Sequence, residues 1–134
     1  MKLPGEITAK VASLPAQVVL KLHAWSDRKL TTTRDAIDLR TILRAYSEGP
    51  YLDELYIDWI QILERYDFEV RPAGAHRLGV EVRQTFGRRI AQDCRRIIRD
   101  DAESDDRLIA EMHPRIEHNR LLLDATLAGL GDGS

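Results

Sequence analysis

The chain has 134 residues, about the size of one ordinary domain, and its 20 basic and 22 acidic side chains leave a formal net charge of −2. Hydrophobic residues make up 43% and charged residues 31%, a composition that argues against a largely disordered or a membrane-spanning chain. The near balance of charge gives no general attraction to nucleic acid or anionic membrane, so binding of either would need a local basic patch.

The cysteine content and the first residues indicate a reducing compartment. Cys94 is the single cysteine and cannot form a disulfide within the chain. Residues 1–14 contain no continuous apolar stretch of the kind that forms a signal peptide. We therefore expect a cytoplasmic protein with no membrane partner.

The first predicted element is a short strand at residues 7–13, where Ile7, Ala9 and Val11 alternate with polar or small residues. One strand leaves unpaired backbone groups along both edges and needs neighbouring strands. The later sequence supplies none, so we expect this strand to belong to an adjoining sheet.

From residue 14 onward, apolar residues recur at helical spacing. Five of the predicted helices cover about 14–28, 51–66, 73–86, 88–101 and 115–130. Another follows the first and ends near residue 47, and a short one before the last holds Leu108 and Met112. The expected N-caps are Ser13, one of Thr31 to Thr33, and Ser104, with turns at 67–72 and 100–106. Gly74 and Gly79 each weaken a helix, so we expect close packing of another helix against them. The predicted fold class is mainly α, with about six or seven helices and one short N-terminal strand.

The densest group of polar side chains lies on the first two predicted helices and contains Lys21, Arg28, Arg34, Asp35 and Asp38. A short connection makes the two helices antiparallel neighbours. Lys21 suits phosphate oxygens as a point charge, whereas each arginine can bind a phosphate or carboxylate through two nitrogens. Two interpretations stay open. The group is either a phosphate-binding site with two acids, or a solvated surface whose acids complement the helix dipole and pair with the cations.

These residues resemble a family motif. The segments 20–28 (LKLHAWSDR) and 34–39 (RDAIDL) are similar to the Lys-x-x-Ala…Arg…Arg-Asp-x-x-Asp-Leu motif of the AbiEii/AbiGii-type nucleotidyltransferases, known as abortive-infection toxins. Residues 11–15 resemble the end of the palm strand that precedes this motif, and residues 74–79 are similar to a small-residue helix start in the helical C-terminal region.

The resemblance implies a role for each residue of the group. Lys21 would contact nucleotide phosphates with Arg28 and Arg34 as supporting cations, and Asp35 and Asp38 would be catalytic residues of the site. Complete members bind NTP and Mg²⁺ through a Gly-Ser or Gly-Gly loop followed by an Asp-x-Asp pair on the palm strands, because hard cations take oxygen ligands from fixed carboxylates.

This chain lacks the Gly-Ser…Asp-x-Asp arrangement, and its adjacent acids at 100–101 and 105–106 lie on a predicted turn. The resemblance therefore implies the C-terminal portion of a nucleotidyltransferase, inactive and without a cofactor by itself. The chain would then be a single domain, 1–134. Its parts would be a residual palm strand (1–13), a motif-bearing helix pair (14–48), a helical bundle (51–130) and a frayed tail (131–134).

A second candidate site lies on the predicted fifth helix. Arg88, Arg95 and Arg99 are spaced by seven and four residues and form a stripe suited to an RNA backbone, the acceptor in one version of the enzyme hypothesis. The alternative is a solvated face whose arginines pair with Asp93, Asp100 and Asp101, and no aromatic residues are interleaved to stack on bases.

The remaining polar and aromatic residues predict structural roles. No pair among His76, His113 and His118 has the His-x-x-x-His spacing of a helical metal site, so no metal is predicted. Cys94 lies on an apolar stripe and is predicted to be a core residue, and Trp25 and Trp59 are predicted packing anchors.

A second class of function fits the same sequence. The chain is then a stand-alone helical interaction module or antitoxin-like regulator without nucleotide binding, and its charges form surface ion pairs. Possible partners are an antitoxin or a second copy, since an unpaired strand favours self-association.

Overall fold

A computed structural model describes residues 13–28, 32–104, 106–112 and 115–131, and within these ranges the regular structure is entirely helical. The mainly α fold class is confirmed. The predicted strand at 7–13 and the predicted tail at 131–134 lie outside the described residues, apart from Ser13 and Gly131. The described ranges contain eight helices: α1 (Leu14–Arg28), α2 (Arg34–Ala45), α3 (Pro50–Asp58), α4 (Ile60–Arg65), α5 (Val70–Phe86), α6 (Arg88–Glu103), α7 (Arg107–Glu111) and α8 (Ile116–Gly131).

The prediction of a single helix over 51–66 is wrong, because the helix is interrupted at Trp59. This residue has a φ of −125° and a ψ of 29°, outside the helical region. Its N–H donates to the Leu55 carbonyl and so ends α3, while its own carbonyl accepts the N–H groups of Ile62 and Leu63 and so begins α4. The break lets the two short helices close around a small apolar cluster of Leu55, Leu63 and Ala73.

Helix α5 begins at Val70, earlier than the predicted start at 73. Pro72 lies in its first turn, where a missing N–H breaks no helical hydrogen bond, so this proline does not delay the helix. The preceding turn contains Asp67 and Phe68, both in the left-handed region with φ values of 54° and 64°.

The acidic turn predicted at 100–106 is also shorter than expected, because α6 continues to Glu103. Ser104 does not cap the next helix. Instead the carboxylate of Asp101 accepts the backbone N–H groups of Arg107 and Leu108, each at 3.0 Å. A side chain of α6 therefore satisfies the first free N–H groups of α7.

Helix α5 is the centre of the fold and contacts six other helices: α1, α2, α3, α4, α6 and α8. Its closest approach is to α8, where a Cβ atom at Gly79 would lie 2.4 Å from the Thr126 carbonyl oxygen and one at Gly129 would lie 2.1 Å from that of His76. The predicted close packing at Gly79 is confirmed. Gly74 likewise lies against Tyr46 and Ser47, since a Cβ atom at this position would lie 3.1 Å from a backbone atom of each.

One main core holds these helices together. Trp25, Leu22, Leu39, Leu78 and Leu122 are among its fully buried side chains, which remove apolar surface from water. None of the described helices combines the length and apolar character needed to cross a bilayer.

Candidate functional site

The predicted polar group on α1 and α2 is brought together in the structure. The Lys21 Nζ atom lies 2.8 Å from Asp38 Oδ2, and the Arg28 Nη2 atom lies 2.9 Å from Asp35 Oδ2. The earlier residue of α1, Lys21, pairs with the later residue of α2, Asp38, as antiparallel packing of the two helices requires. We call Lys21, Arg28, Asp35 and Asp38 the α1–α2 cluster.

Asp35 is the buried member of the α1–α2 cluster, with a side chain only 1% exposed. It accepts hydrogen bonds from Arg28 Nε at 3.2 Å and from Arg28 Nη2 at 3.0 and 2.9 Å, and Lys21 Nζ lies 3.6 Å from its Oδ1 atom. A buried carboxylate is costly unless it is paired, so Asp35 fixes both cations in place. Its position in the first turn of α2 also suits the helix dipole.

The two cations stay accessible to solvent although their common partner is buried. The Arg28 side chain is 58% exposed, and those of Lys21 and Asp38 are 32% and 41% exposed. The α1–α2 cluster can therefore present two positioned cations to an anion in solution.

Arg34 does not join the α1–α2 cluster as the sequence suggested. It is exposed, and its guanidinium forms no ion pair within the part of the chain that the structure describes. Its backbone N–H donates to Thr32 Oγ1 at 3.1 Å, so Thr32 supplies a capping oxygen at the start of α2. Arg34 adds positive charge beside the α1–α2 cluster without being held by a carboxylate.

The arginine stripe on α6 is only partly exposed to solvent. Arg88 and Arg99 are exposed, whereas Arg95 is half-buried, with its guanidinium packed against the end of α8 at Gly131. Arg95 and Arg99 share the lining of an open cavity of about 390 Å³ with Asp100 and Glu103, and Arg88 lies outside it. The stripe therefore does not form one continuous cationic track.

The predicted acid partners of this stripe are partly wrong. Asp93 does pair with Arg96 at 2.7 Å on the surface. Asp101 is 4% exposed and caps α7, so it pairs with none of the arginines of the stripe.

A second charged group, which the sequence analysis missed, surrounds Arg77 of α5. Arg77 is 6% exposed, and its guanidinium carbon lies 3.9 Å from the ring centre of Tyr46 and 5.2 Å from that of Trp59. Its Nη2 atom donates to Glu54 at 2.6 Å and its Nε atom to Glu81 at 3.0 Å. These residues form the Arg77 cluster, which ties α3 and the end of α2 to α5.

The electrostatics of the Arg77 cluster favour the charged guanidinium. Burial lowers the pKa of Arg77, but the hydrogen bonds and charges of Glu54 and Glu81 outweigh burial and raise it above its ordinary value. Burial also raises the pKa of Tyr46, whose hydroxyl donates to Glu81. The sequence signal for this group was a cation within the run 73–80, whose other residues apart from His76 are small or apolar, with Glu81 four residues after the cation.

Cys94 and Trp25 occupy the core positions that the sequence predicts. Cys94 is fully buried, and burial raises its pKa to about 12, so it is a core thiol. Trp25 is a buried anchor whose Nε1 atom donates to Glu111 at 3.0 Å. Trp59 is only half-buried. His113 lies outside the described residues, among which no three His, Cys, Asp or Glu side chains are grouped closely enough to hold a metal ion.

Comparison with known proteins found no matching family model, no similar curated protein and no similar solved structure. The resemblance to the AbiEii/AbiGii type therefore depends on the motif residues of the sequence.

Proposed function

We propose that this chain is the nucleotide-proximal helical portion of a nucleotidyltransferase-like protein of the AbiEii/AbiGii type, and that it supplies phosphate-contacting cations to an NTP site completed by a palm domain. The observation that carries the proposal is the buried Asp35, which holds Lys21 and Arg28 side by side while both remain open to solvent.

The chemistry of the α1–α2 cluster suits a phosphate. The Lys21 ammonium contributes a point charge, and the Arg28 guanidinium contributes a planar cation whose side chain is 58% exposed. Positioned cations bind better than mobile ones because less side-chain entropy is lost on binding. Arg34 adds a third cation at the start of α2.

The roles of the two acids differ under this proposal. Asp35 is a positioning residue and not a catalytic one, because its oxygens are buried and engaged by Arg28 and Lys21. Asp38 is exposed enough to meet a ligand hydroxyl, and it competes with phosphate for Lys21.

The described residues do not fit a divalent ion. Asp35 is the buried carboxylate of the α1–α2 cluster, and its oxygens already accept hydrogen bonds from a guanidinium. Mg²⁺ for a complete family member would need carboxylates from another domain. The acceptor, for which the α6 arginines are the RNA-facing candidates, would also be positioned with that domain.

The first test is a transfer assay with labelled NTP and Mg²⁺. The purified 134-residue chain is expected to transfer no nucleotide to RNA or to protein, and clear turnover would contradict the proposal. An in-frame Gly-Ser…Asp-x-Asp coding sequence upstream of Met1 would support it.

The second test is binding of nucleoside triphosphate to the same chain, followed by backbone NMR shifts. Binding is expected to shift the amide resonances of α1 and of the start of α2. The affinity for the triphosphate is expected to fall about fivefold or more in Lys21→Ala and in Arg28→Ala, because each variant loses one charge-assisted hydrogen bond. Arg65→Ala is the matched control, since Arg65 is exposed and distant in sequence from the α1–α2 cluster. Equal weakening in all three variants would indicate unspecific charge attraction and would contradict the proposal.

A further inference from the structure

The segment 50–69, which contains α3, α4 and the turn that follows, is strongly acidic. It holds six carboxylates and a single cation, Arg65, for a net charge of −5, whereas the whole chain has −2. We call it the acidic hairpin. The rest of the chain has a net charge of +3, although residues 100–106 form a second acidic stretch with five carboxylates.

The carboxylates of the acidic hairpin are mostly available to a partner. Only Glu54 is used internally, in its ion pair with Arg77. The other five are exposed and form no ion pair within the described ranges: Asp53, Asp58, Glu64, Asp67 and Glu69. By contrast, Asp35, Asp38 and Glu81 of the other charged groups are all paired.

The acidic hairpin also carries most of the large hydrophobic side chains that are exposed among the described residues. Among the described residues eight large hydrophobic side chains are exposed, and five of them lie here: Tyr51, Tyr56, Ile57, Ile60 and Phe68. Ile57 is the most exposed of all, at 74%. A concentration of exposed apolar side chains with a charged rim is typical of a protein interaction site.

A cavity of about 510 Å³ opens beside α4 in this surface. Its apolar lining consists of Trp59, Ile60, Ile62 and Val80. Asp58 and Arg65 also line it, so both a carboxylate and the one cation of the hairpin are at its edge. The cavity is large enough to receive one apolar side chain of a partner, the arrangement in which interface residues contribute most to affinity.

The turn that ends the acidic hairpin is strained. Asp67 and Phe68 both adopt positive φ, which costs side chains other than glycine roughly 1 kcal/mol or more each. The Phe68 side chain is 52% exposed, so little burial offsets this cost. Such strain at an exposed aromatic residue is found at binding surfaces.

We infer that the acidic hairpin is a docking surface for a basic amphipathic segment of another protein. An apolar side chain of that segment enters the cavity beside Trp59, Ile57 and Ile60 extend the apolar contact, and Lys or Arg side chains of the partner meet the unpaired carboxylates. Helix-in-groove recognition of this kind combines apolar anchors with charge complementarity. The inference does not depend on nucleotide binding.

A second copy of this chain fits the surface less well. Its basic part is residues 88–99 of α6, with five arginines and one aspartate. The apolar side chains Ala91, Cys94 and Ile98 of this helix are buried in its own core. The exposed face of α6 offers arginines without an apolar anchor beside them. The partner must bring both features on one segment, so a different protein is the better occupant.

The test uses two labelled synthetic peptides of about 15 residues that share one apolar helix face of Leu and Trp. The polar face is Lys in the first peptide and Glu in the second. In fluorescence anisotropy at physiological salt, the Lys peptide is expected to bind the full chain at least about tenfold more tightly than the Glu peptide. Ile57→Ser and Ile60→Ser should each weaken its binding about three- to tenfold, while Arg65→Gln should strengthen it.

The matched control is Ile116→Ser, which removes an equally apolar side chain that is 55% exposed on α8. Its affinity for the Lys peptide should equal that of the unsubstituted chain. If all three Ile variants bind the Lys peptide with equal affinity, the binding is unspecific charge attraction and the inference is overturned. Absence of binding near 1 mM peptide, or equal binding of the two peptides, would overturn it as well.

Sedimentation distinguishes the second-copy alternative. The unsubstituted chain is expected to remain monomeric over the concentrations used for binding. If the unsubstituted chain and the Ile116→Ser variant form a dimer and the Ile57→Ser variant does not, the acidic hairpin is a self-association surface. That result would overturn the inference of a different protein as partner.

Discussion

The α1–α2 cluster and the Arg77 cluster both join helices through charged side chains, but they are built in opposite ways. In the first, an anion is buried and two cations lie at the surface. In the second, a cation is buried under aromatic rings and its carboxylates lie nearer to solvent, with Glu54 45% exposed and Asp35 only 1% exposed. The charge that stays accessible decides what each group can bind.

This difference separates a candidate ligand site from a structural one. Lys21 and Arg28 can meet an external phosphate without any helix moving. Arg77 donates through Nε to Glu81 and through Nη2 to Glu54, its face packs against Tyr46, and its side chain is buried, so a ligand would have to displace protein groups to reach it. We therefore propose a binding role for the α1–α2 cluster and a structural role for the Arg77 cluster.

The largest expected effect is at the Arg77 cluster. Arg77→Met should lower the free energy of unfolding by about 3 kcal/mol, because it leaves Glu81 partly buried without its cation and removes the cation–π contacts with Tyr46. Urea denaturation measures the change, and triphosphate binding at the α1–α2 cluster should be retained in the folded variant.

A second substitution separates lost charge pairing from lost packing. Glu81→Gln added to Arg77→Met should restore roughly 1 kcal/mol or more, since the unpaired carboxylate is then neutralised. If the double variant is less stable than Arg77→Met alone, Glu81 is not destabilised by the loss of its cation and the description of the Arg77 cluster as an ion-pair centre is wrong.

The next effect concerns the buried anion of the α1–α2 cluster. Asp35→Asn should lower the free energy of unfolding by about 2 kcal/mol, because charge-assisted hydrogen bonds from Arg28 are lost. The loss is smaller than at Arg77 since Lys21 and Arg28 can be solvated by water. Urea denaturation measures both losses of unfolding free energy. A larger loss for Asp35→Asn than for Arg77→Met would show that the α1–α2 cluster, and not the Arg77 cluster, contributes more to stability.

The two groups also differ in how well the sequence predicts them. The α1–α2 cluster could be predicted because its residues lie on two consecutive helices, so local spacing brings them together. The Arg77 cluster joins residues from 46 to 81 through tertiary packing, and helical periodicity cannot show which distant aromatic ring covers a guanidinium.

The elements show the same division. Long amphipathic helices such as α1 and α6 follow directly from apolar spacing. The break at Trp59 could not be predicted in this way, since the spacing of Leu55, Ile62 and Leu63 continues across it and only packing against α5 favours two short helices. Asp101 looked like a surface acid because its role as a cap depends on where the chain returns after α6.

The pH dependence of stability provides a smaller effect at the Arg77 cluster. Burial, and then the hydrogen bond to Glu81, raise the pKa of Tyr46 above its ordinary value of about 10. Above that pH an unfolded tyrosine loses its proton while the folded one keeps it, so the unfolded state binds fewer protons and stability falls as pH rises. Below that pH this contribution is fully present.

Tyr46→Phe should therefore show a shallower loss of stability between about pH 10 and 11 than the unsubstituted chain, measured by urea denaturation. The matched control is Tyr56→Phe, which changes an exposed phenol and should leave the slope unchanged. Cys94, whose pKa is raised to about 12 by burial, adds a loss that begins near pH 9 in all three proteins and so cancels in the comparison. Equal slopes for both variants would show that Tyr46 ionises as freely in the folded chain as in the unfolded one.

The smallest effect on stability, and the sharpest test of the α1–α2 cluster, comes from its exposed pair. Asp38→Asn and Lys21→Ala should each change the free energy of unfolding by only about 0.5 kcal/mol, since their ion pair is partly solvated. Their effects on triphosphate affinity, measured by titration, should have opposite signs. Lys21→Ala weakens binding, whereas Asp38→Asn strengthens it because Lys21 loses a competing anion.

Asp35→Asn completes this test, because it removes the same charge as Asp38→Asn from a neighbouring position. If charge alone governed affinity, both substitutions would strengthen triphosphate binding. If Asp35 positions the cations, its substitution weakens binding even though the site becomes more positive, because Arg28 and Lys21 lose their common partner. Stronger binding by both Asn variants would show that the buried carboxylate orders nothing that the ligand needs, and the α1–α2 cluster would then be an ordinary surface ion-pair network.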